Sequence, residues 1–100
     1  MTDKQFDGAL KSAGGWFFLT QYEEIADYTG EKKALVDYMF TKGFDAKRGG
    51  TSTRVSSVLR IIKNQKGKDA LAKIRDSKKI NTEHSEAEEL ASEIIAKRFK

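Results

Sequence analysis

Residues 52–65, STRVSSVLRIIKNQ, carry the clearest structural pattern in this sequence. Their apolar side chains recur at i, i+3, i+4 and i+7, which is the spacing of one face of an α-helix. The predicted inward face consists of Val55, Val58, Leu59 and Ile62. Gly67 follows the segment and suits a helix end. The segment therefore predicts an amphipathic helix and favours a helical fold.

On either side of this helix, glycines divide the chain into short segments whose apolar residues also have helical spacing. These segments predict helices over about 2–12, 21–28, 31–42, 69–77 and 83–98. Capping-box patterns at Thr20–Glu23 and Ser85–Glu88 mark two expected helix starts, and Asp69 is the expected cap of a third. We expect a single all-α domain over residues 1–100, a compact bundle of five to six short helices.

The most apolar stretch, Trp16–Leu19, is too short to distinguish a strand from the start of a helix. Aromatic residues of this kind bury large areas, so we interpret the stretch chiefly as part of the core. An exposed part of it would instead form a patch for a partner.

Residues 21–42 resemble a helix-turn-helix pair. Ala26, Gly30 and Val36 match the small, turn and apolar positions of that motif, whereas Glu31 occupies a position that is usually apolar. In this interpretation Lys32 and Lys33 form a secondary DNA-binding site. The alternative is a plain helix pair that belongs to the core.

The formal charge of +4 on 100 residues hides a strong asymmetry. Residues 1–43 carry a net charge of −2, residues 44–80 carry eleven Lys/Arg against three Asp, and residues 81–100 again carry −2. A central block of +8 is typical of a segment that faces a polyanion. The alternative is a solvated basic face that the acidic ends balance in three dimensions.

Several functional classes are disfavoured by composition. The chain has no cysteine, so thiolate metal sites have no residues to build them. Its single histidine, His84, does not stand with an orienting acid in a motif for nucleophilic catalysis. His84 lies near an expected helix start and is expected to be exposed. No membrane-spanning run and no signal-peptide layout occurs, which favours a cytoplasmic location. We expect a non-catalytic protein that needs no metal and no cofactor.

The candidate site is the basic segment around the helix of residues 52–65. No acidic residue occurs from Ala46 to Lys68, and hydroxyl, amide and basic side chains alternate with the apolar stripe. Gly49–Gly50 is expected to precede the helix and to let a phosphate approach its free amides. The predicted contact residues are Lys47, Arg48, Thr51, Ser52, Arg54, Ser56, Ser57, Arg60, Lys63, Asn64 and Lys66.

Such a face suits phosphate positioning and base-edge contacts. No aromatic residue lies between Asp45 and Lys79, which disfavours the base stacking used to bind single strands. We therefore expect binding of duplex DNA. The alternative is an adaptor or inhibitor that binds an acidic protein through the same face.

Overall fold

Seven helices and no strand make up the computed structural model, which describes residues 1–99. The helices are α1 (Asp3–Ala13), α2 (Gly15–Asp27), α3 (Lys32–Phe40), α4 (Arg48–Lys63), α5 (Gly67–Arg75), α6 (Lys78–Glu83) and α7 (Ala87–Arg98). The predicted all-α bundle is confirmed. The additional helix is α6, because the chain bends at His84–Glu86 and separates α6 from α7.

The central element is α4, which packs against α1, α2, α3 and α5, while α5 packs against α7. Its fully buried side chains are Thr51, Val55, Val58 and Ile61, whereas Leu59 and Ile62 are only partly buried. The predicted inward positions of Val55 and Val58 are confirmed, Leu59 and Ile62 pack at the edge of the core, and Ile61 is an additional buried residue. Helices cover α4 on more than one side, so its buried surface is broader than a single stripe and is rotated toward Ile61.

The stretch Trp16–Leu19 belongs to α2, and Phe17, Phe18 and Leu19 are buried in the core. The predicted helix start at Thr20 was wrong. The Thr20 hydroxyl donates to the carbonyl of Trp16 at 2.9 Å, one turn back within the same helix. Burial of the apolar residues stabilises the longer helix, and a capping-box pattern inside a helix leaves the hydroxyl free for this bond.

Two other predicted caps were also wrong. α5 begins at Gly67, so Asp69 lies in its first turn, 3.6 Å from the Lys66 ammonium. α7 begins at Ala87, and the Glu88 amide donates to the Asn81 side-chain oxygen at 2.8 Å instead of to Ser85. At the start of α5 the Lys66 ammonium contacts Asp69, and at the start of α7 the Asn81 side chain accepts from the free amide of Glu88. Neither helix start uses the cap that the local sequence pattern predicts.

The pair α2–α3 contains the predicted turn, which is held by the Tyr28 hydroxyl donating to the Glu31 carbonyl at 2.9 Å. Val36 is buried and Ala26 is half-buried. However, α3 packs mainly on α4 and not along α2. This arrangement favours the plain helix pair over a helix-turn-helix unit, since that motif needs its two helices packed on each other.

Candidate nucleic-acid interface

The N-terminal end of α4 differs from the expected open anion pocket. The helix begins at Arg48, so Gly49 and Gly50 lie inside its first turn. The Asp45 carboxylate lies against this turn, with Oδ1 only 3.0 Å from where a Cβ at residue 50 would lie. A negative charge is favoured at a helix N-terminus, and Asp45 supplies it from within the chain.

Arg54 is held by the same carboxylate. Its Nε donates to both Asp45 oxygens at 3.1 Å, and its Nη1 donates to the Ala13 carbonyl at 2.7 Å. The Arg54 side chain is 30% exposed and that of Asp45 is 16% exposed. Arg54 thus ties α4 to the junction of α1 and α2. The sequence predicts Arg54 as a ligand contact, whereas the structure engages its guanidinium in these internal bonds.

Thr51 has a comparable structural role. It is fully buried, and its hydroxyl donates to the Asp45 carboxylate at 3.0 Å. The predicted contact between Thr51 and a ligand was therefore wrong. A hydroxyl in the core needs an internal partner, and Asp45 is that partner.

Arg48 and Lys66 are also paired. The Arg48 Nε lies 2.6 Å from the Asp37 carboxylate, and its Nη2 donates to the Lys33 carbonyl at 3.4 Å. These contacts place the start of α3, where Lys32 and Lys33 are exposed, beside the start of α4. The carboxylate partners of Arg54 and Arg48, Asp45 and Asp37, are not predicted from the sequence. They lie nine and eleven residues away across a bend, a separation that has no helical pairing pattern.

The rest of the predicted site lies together on the outer face of α4. Arg60, Lys63 and Asn64 are exposed, while Ser52, Ser56 and Ser57 are half-buried. A shallow depression of about 310 Å³ is lined by the three serines with Thr53 and Arg60. Within residues 1–99 the three serine hydroxyls make no hydrogen bond, and Asn64 donates to the Arg60 carbonyl at 2.7 Å.

Ion pairs neutralise some of the basic side chains of residues 44–80 and leave others free. Of its eleven basic side chains, five form ion pairs: Arg48, Arg54, Lys66, Lys73 and Arg75. Two of the five carboxylates, Asp7 and Asp37, come from outside the block. Among the described residues, the basic side chains left without an ion pair are Lys47, Arg60, Lys63, Lys68, Lys78 and Lys79. On α4 itself the free positive charge is concentrated at the C-terminal end.

Acidic residues of α2 are neutralised elsewhere. A hydrogen bond from Arg98 lowers the pKa of Asp27, and a hydrogen bond from Lys42 lowers the pKa of Glu24. Burial raises the pKa of the Tyr22 hydroxyl, which lies in the same region. The carboxylates of Asp27 and Glu24 are held by structural ion pairs and lie outside the α4 face.

His84 is half-buried and not exposed as expected. Its imidazole stacks on the Trp16 indole with 3.7 Å between ring centroids and 2° between the ring planes. Within residues 1–99, no three His, Cys, Asp or Glu side chains converge on a position for a metal ion. In the same part of the chain, no helix is both long enough and apolar enough to span a bilayer.

Comparisons with known proteins give no family for this chain. A scan of protein-family models, a search of curated proteins and a search of solved structures each returned no match. The function is therefore inferred from the site alone.

Proposed function

We propose that this protein binds duplex DNA through the outer face of α4. Arg60 and Lys63 contact phosphates, and the hydroxyls of Ser52, Ser56 and Ser57 donate to phosphates or base edges. The observation that supports this most is an exposed helix face with free cations and hydroxyls and without any carboxylate of its own. Exposed helix faces usually mix both signs of charge, so a face of this composition favours a polyanionic partner.

The dimensions of α4 agree with this proposal. Its 16 residues extend over about 24 Å at 1.5 Å per residue. An α-helix fits the major groove of B-DNA, which is about 12 Å wide. The small side chains of Gly49, Ser52, Thr53 and Ser56 would allow the backbone to approach the groove closely, and the basic residues follow at Arg60 and Lys63.

In the proposal, fewer residues contact DNA than the sequence predicts. Arg48, Arg54 and Thr51 hold α4 in place through Asp37 and Asp45. In the proposal these three residues position the binding helix, and the charged contacts of α4 with DNA are made by Arg60 and Lys63 in its C-terminal half. Lys47 precedes the helix as an exposed cation that extends the surface at the other end.

Fluorescence anisotropy with a labelled generic duplex tests the proposal. We expect saturable binding at low salt and a loss of affinity as salt rises, because phosphate contacts release counterions. Poly-glutamate serves as the competitor that represents an acidic protein surface. We expect unlabelled duplex to compete at much lower charge concentration than poly-glutamate.

Two results would contradict the proposal. Absence of binding to the duplex at low salt would exclude DNA as the partner. Equal competition by poly-glutamate would show that charge alone is recognised and would favour the acidic-protein alternative. Contacts of the protein with phosphates and base edges require the geometry of a duplex, which poly-glutamate lacks, so specific DNA binding predicts unequal competition.

A further inference from the structure

A groove separate from the α4 face runs between the α1–α2 junction and α6. One end of it encloses about 460 Å³ and is lined by the rings of Trp16, Phe17, Phe44 and His84. The other end encloses about 310 Å³ beside Lys73 and Ile74. Both depressions share Lys11, Gly15, Ser77 and Ile80 in their walls, so they adjoin each other in one groove that Ile80 crosses.

Glycine at residue 15 has no side chain, which lets Ile80 of α6 approach the floor of this groove closely. A Cβ at this position would collide with the Ile80 side chain, which crosses the groove from α6. α6 buries none of its own residues, so Ile80 contacts the floor as a partly buried side chain.

The larger end of the groove combines flat rings with positive charge. Phe17 and Phe44 meet edge to face with 4.9 Å between centroids, and His84 covers one face of the Trp16 indole. The ring surface that remains partly exposed belongs to Trp16 and Phe44. Lys11 and Lys79 also line this end, and both are exposed and free of ion pairs within residues 1–99. The one carboxylate in the lining belongs to Glu83.

We propose that this groove binds a small planar aromatic compound that carries an anionic group. A volume of this size is typical of small-molecule sites, which combine an apolar lining with a few polar groups. The partly exposed rings of Trp16 and Phe44 contact the planar part. The ammonium groups of Lys11 and Lys79 attract the phosphate or carboxylate and outnumber the single carboxylate of Glu83, which repels an anion.

The proposal is tested by intrinsic fluorescence, because Trp16 is the only tryptophan of the chain and lies in the groove. Adenosine monophosphate and benzoate serve as probes of the two sources of such a ligand, a nucleotide and an aromatic acid. We expect a saturable change in Trp16 emission with at least one probe, with a dissociation constant below about 1 mM. Inorganic phosphate and neutral adenosine are the control ligands, and each is expected to bind at least about tenfold more weakly.

Paired variants localise the site. Lys11→Gln with Lys79→Gln is expected to weaken binding of the better probe at least about fivefold. Lys4→Gln with Lys68→Gln removes the same charge from exposed positions outside the groove and is expected to leave the affinity unchanged. Exposed substitutions of this kind alter stability little, and circular dichroism verifies the fold.

Three outcomes would overturn the proposal: no saturable change with either probe up to about 10 mM, equal binding of inorganic phosphate, or equal loss in both pairs of variants. The proposed DNA binding is tested separately, since Arg60→Ala with Lys63→Ala leaves the groove intact. Failure of one proposal is therefore distinguishable from failure of the other.

Discussion

The two ends of α4 carry similar basic side chains in different surroundings. At the N-terminal end, Arg48 and Arg54 each meet a carboxylate, and Arg54 also donates to a backbone carbonyl of the α1–α2 junction. At the C-terminal end, Arg60 and Lys63 are exposed and lack an ion pair within residues 1–99. The charge of a segment therefore shows how many cations it has, and the fold decides which of them a partner can reach.

The largest expected difference between the two ends is in stability. Arg54→Ala leaves the partly buried Asp45 carboxylate without its cation, with the Thr51 hydroxyl as a remaining donor, and removes the Arg54 bond to the Ala13 carbonyl. The loss costs about 1–3 kcal/mol of unfolding free energy. For a domain of this size the melting temperature is expected to fall by on the order of 10 °C. Arg60→Ala is the matched control on the same helix and is expected to change stability by less than about 0.5 kcal/mol. Equal melting temperatures for the two variants would refute the structural role of Arg54.

The next difference concerns DNA binding. Arg60→Ala with Lys63→Ala is expected to weaken duplex binding by about tenfold, and to reduce the slope of log affinity against log salt by about 2. Lys4→Ala with Lys68→Ala makes the same charge change outside α4 and serves as the control. Anisotropy titrations at several salt concentrations measure both quantities. If the control pair lost as much affinity as the α4 pair, DNA binding would depend on net charge and not on the α4 face.

A smaller effect is expected when a tied residue is released. Asp37→Asn removes the carboxylate that pairs with Arg48, an exposed ion pair worth about 0–1 kcal/mol of stability. The freed guanidinium lies at the start of α4 and is expected to raise duplex affinity by about two- to fivefold. Glu89→Gln makes the same charge change at an exposed position of α7. An increase that is equal for both variants would attribute the gain to net charge alone.

The smallest expected effect is on the pH dependence of stability, and it concerns the paired carboxylates of α2, which lie away from α4. The lowered pKa values of Asp27 and Glu24 imply that their ionised forms stabilise the fold above the ordinary values of 3.8 and 4.5. This contribution is lost as the pH falls through the lowered folded values. Asp27→Asn with Glu24→Gln is therefore expected to flatten the acid decline of the melting temperature slightly. Identical pH profiles for the variant and the wild type would contradict the pairing.

Sequence reasoning succeeded where a local pattern determines the outcome. The helical class and the existence of α4 follow from the spacing of Val55 and Val58, and both residues are fully buried. It failed where tertiary packing decides. The choice of Ile61 over Leu59 as the buried side chain depends on which helices surround α4, and the extension of α2 through Thr20 depends on burial of Phe17.

The candidate site was predictable to a similar extent. The exposed positions of Arg60, Lys63 and Asn64 follow from helical periodicity. The partners of Arg48 and Arg54 do not, because Asp37 and Asp45 reach them through a bend whose path no local rule specifies. The groove at Gly15 was missed for the same reason, since its walls come from helices far apart in the sequence.

The central claim is that the outer, C-terminal face of α4 contacts DNA while its N-terminal arginines hold the fold. The most direct measurement is a titration of ¹⁵N-labelled protein with a short duplex, followed by amide and arginine side-chain shifts in heteronuclear NMR. We predict the largest shifts at Ser56, Arg60 and Lys63, with the Arg54 Nε–H resonance nearly unmoved because its bond to Asp45 persists. Shifts concentrated away from α4, or a large movement of the Arg54 resonance, would contradict the account.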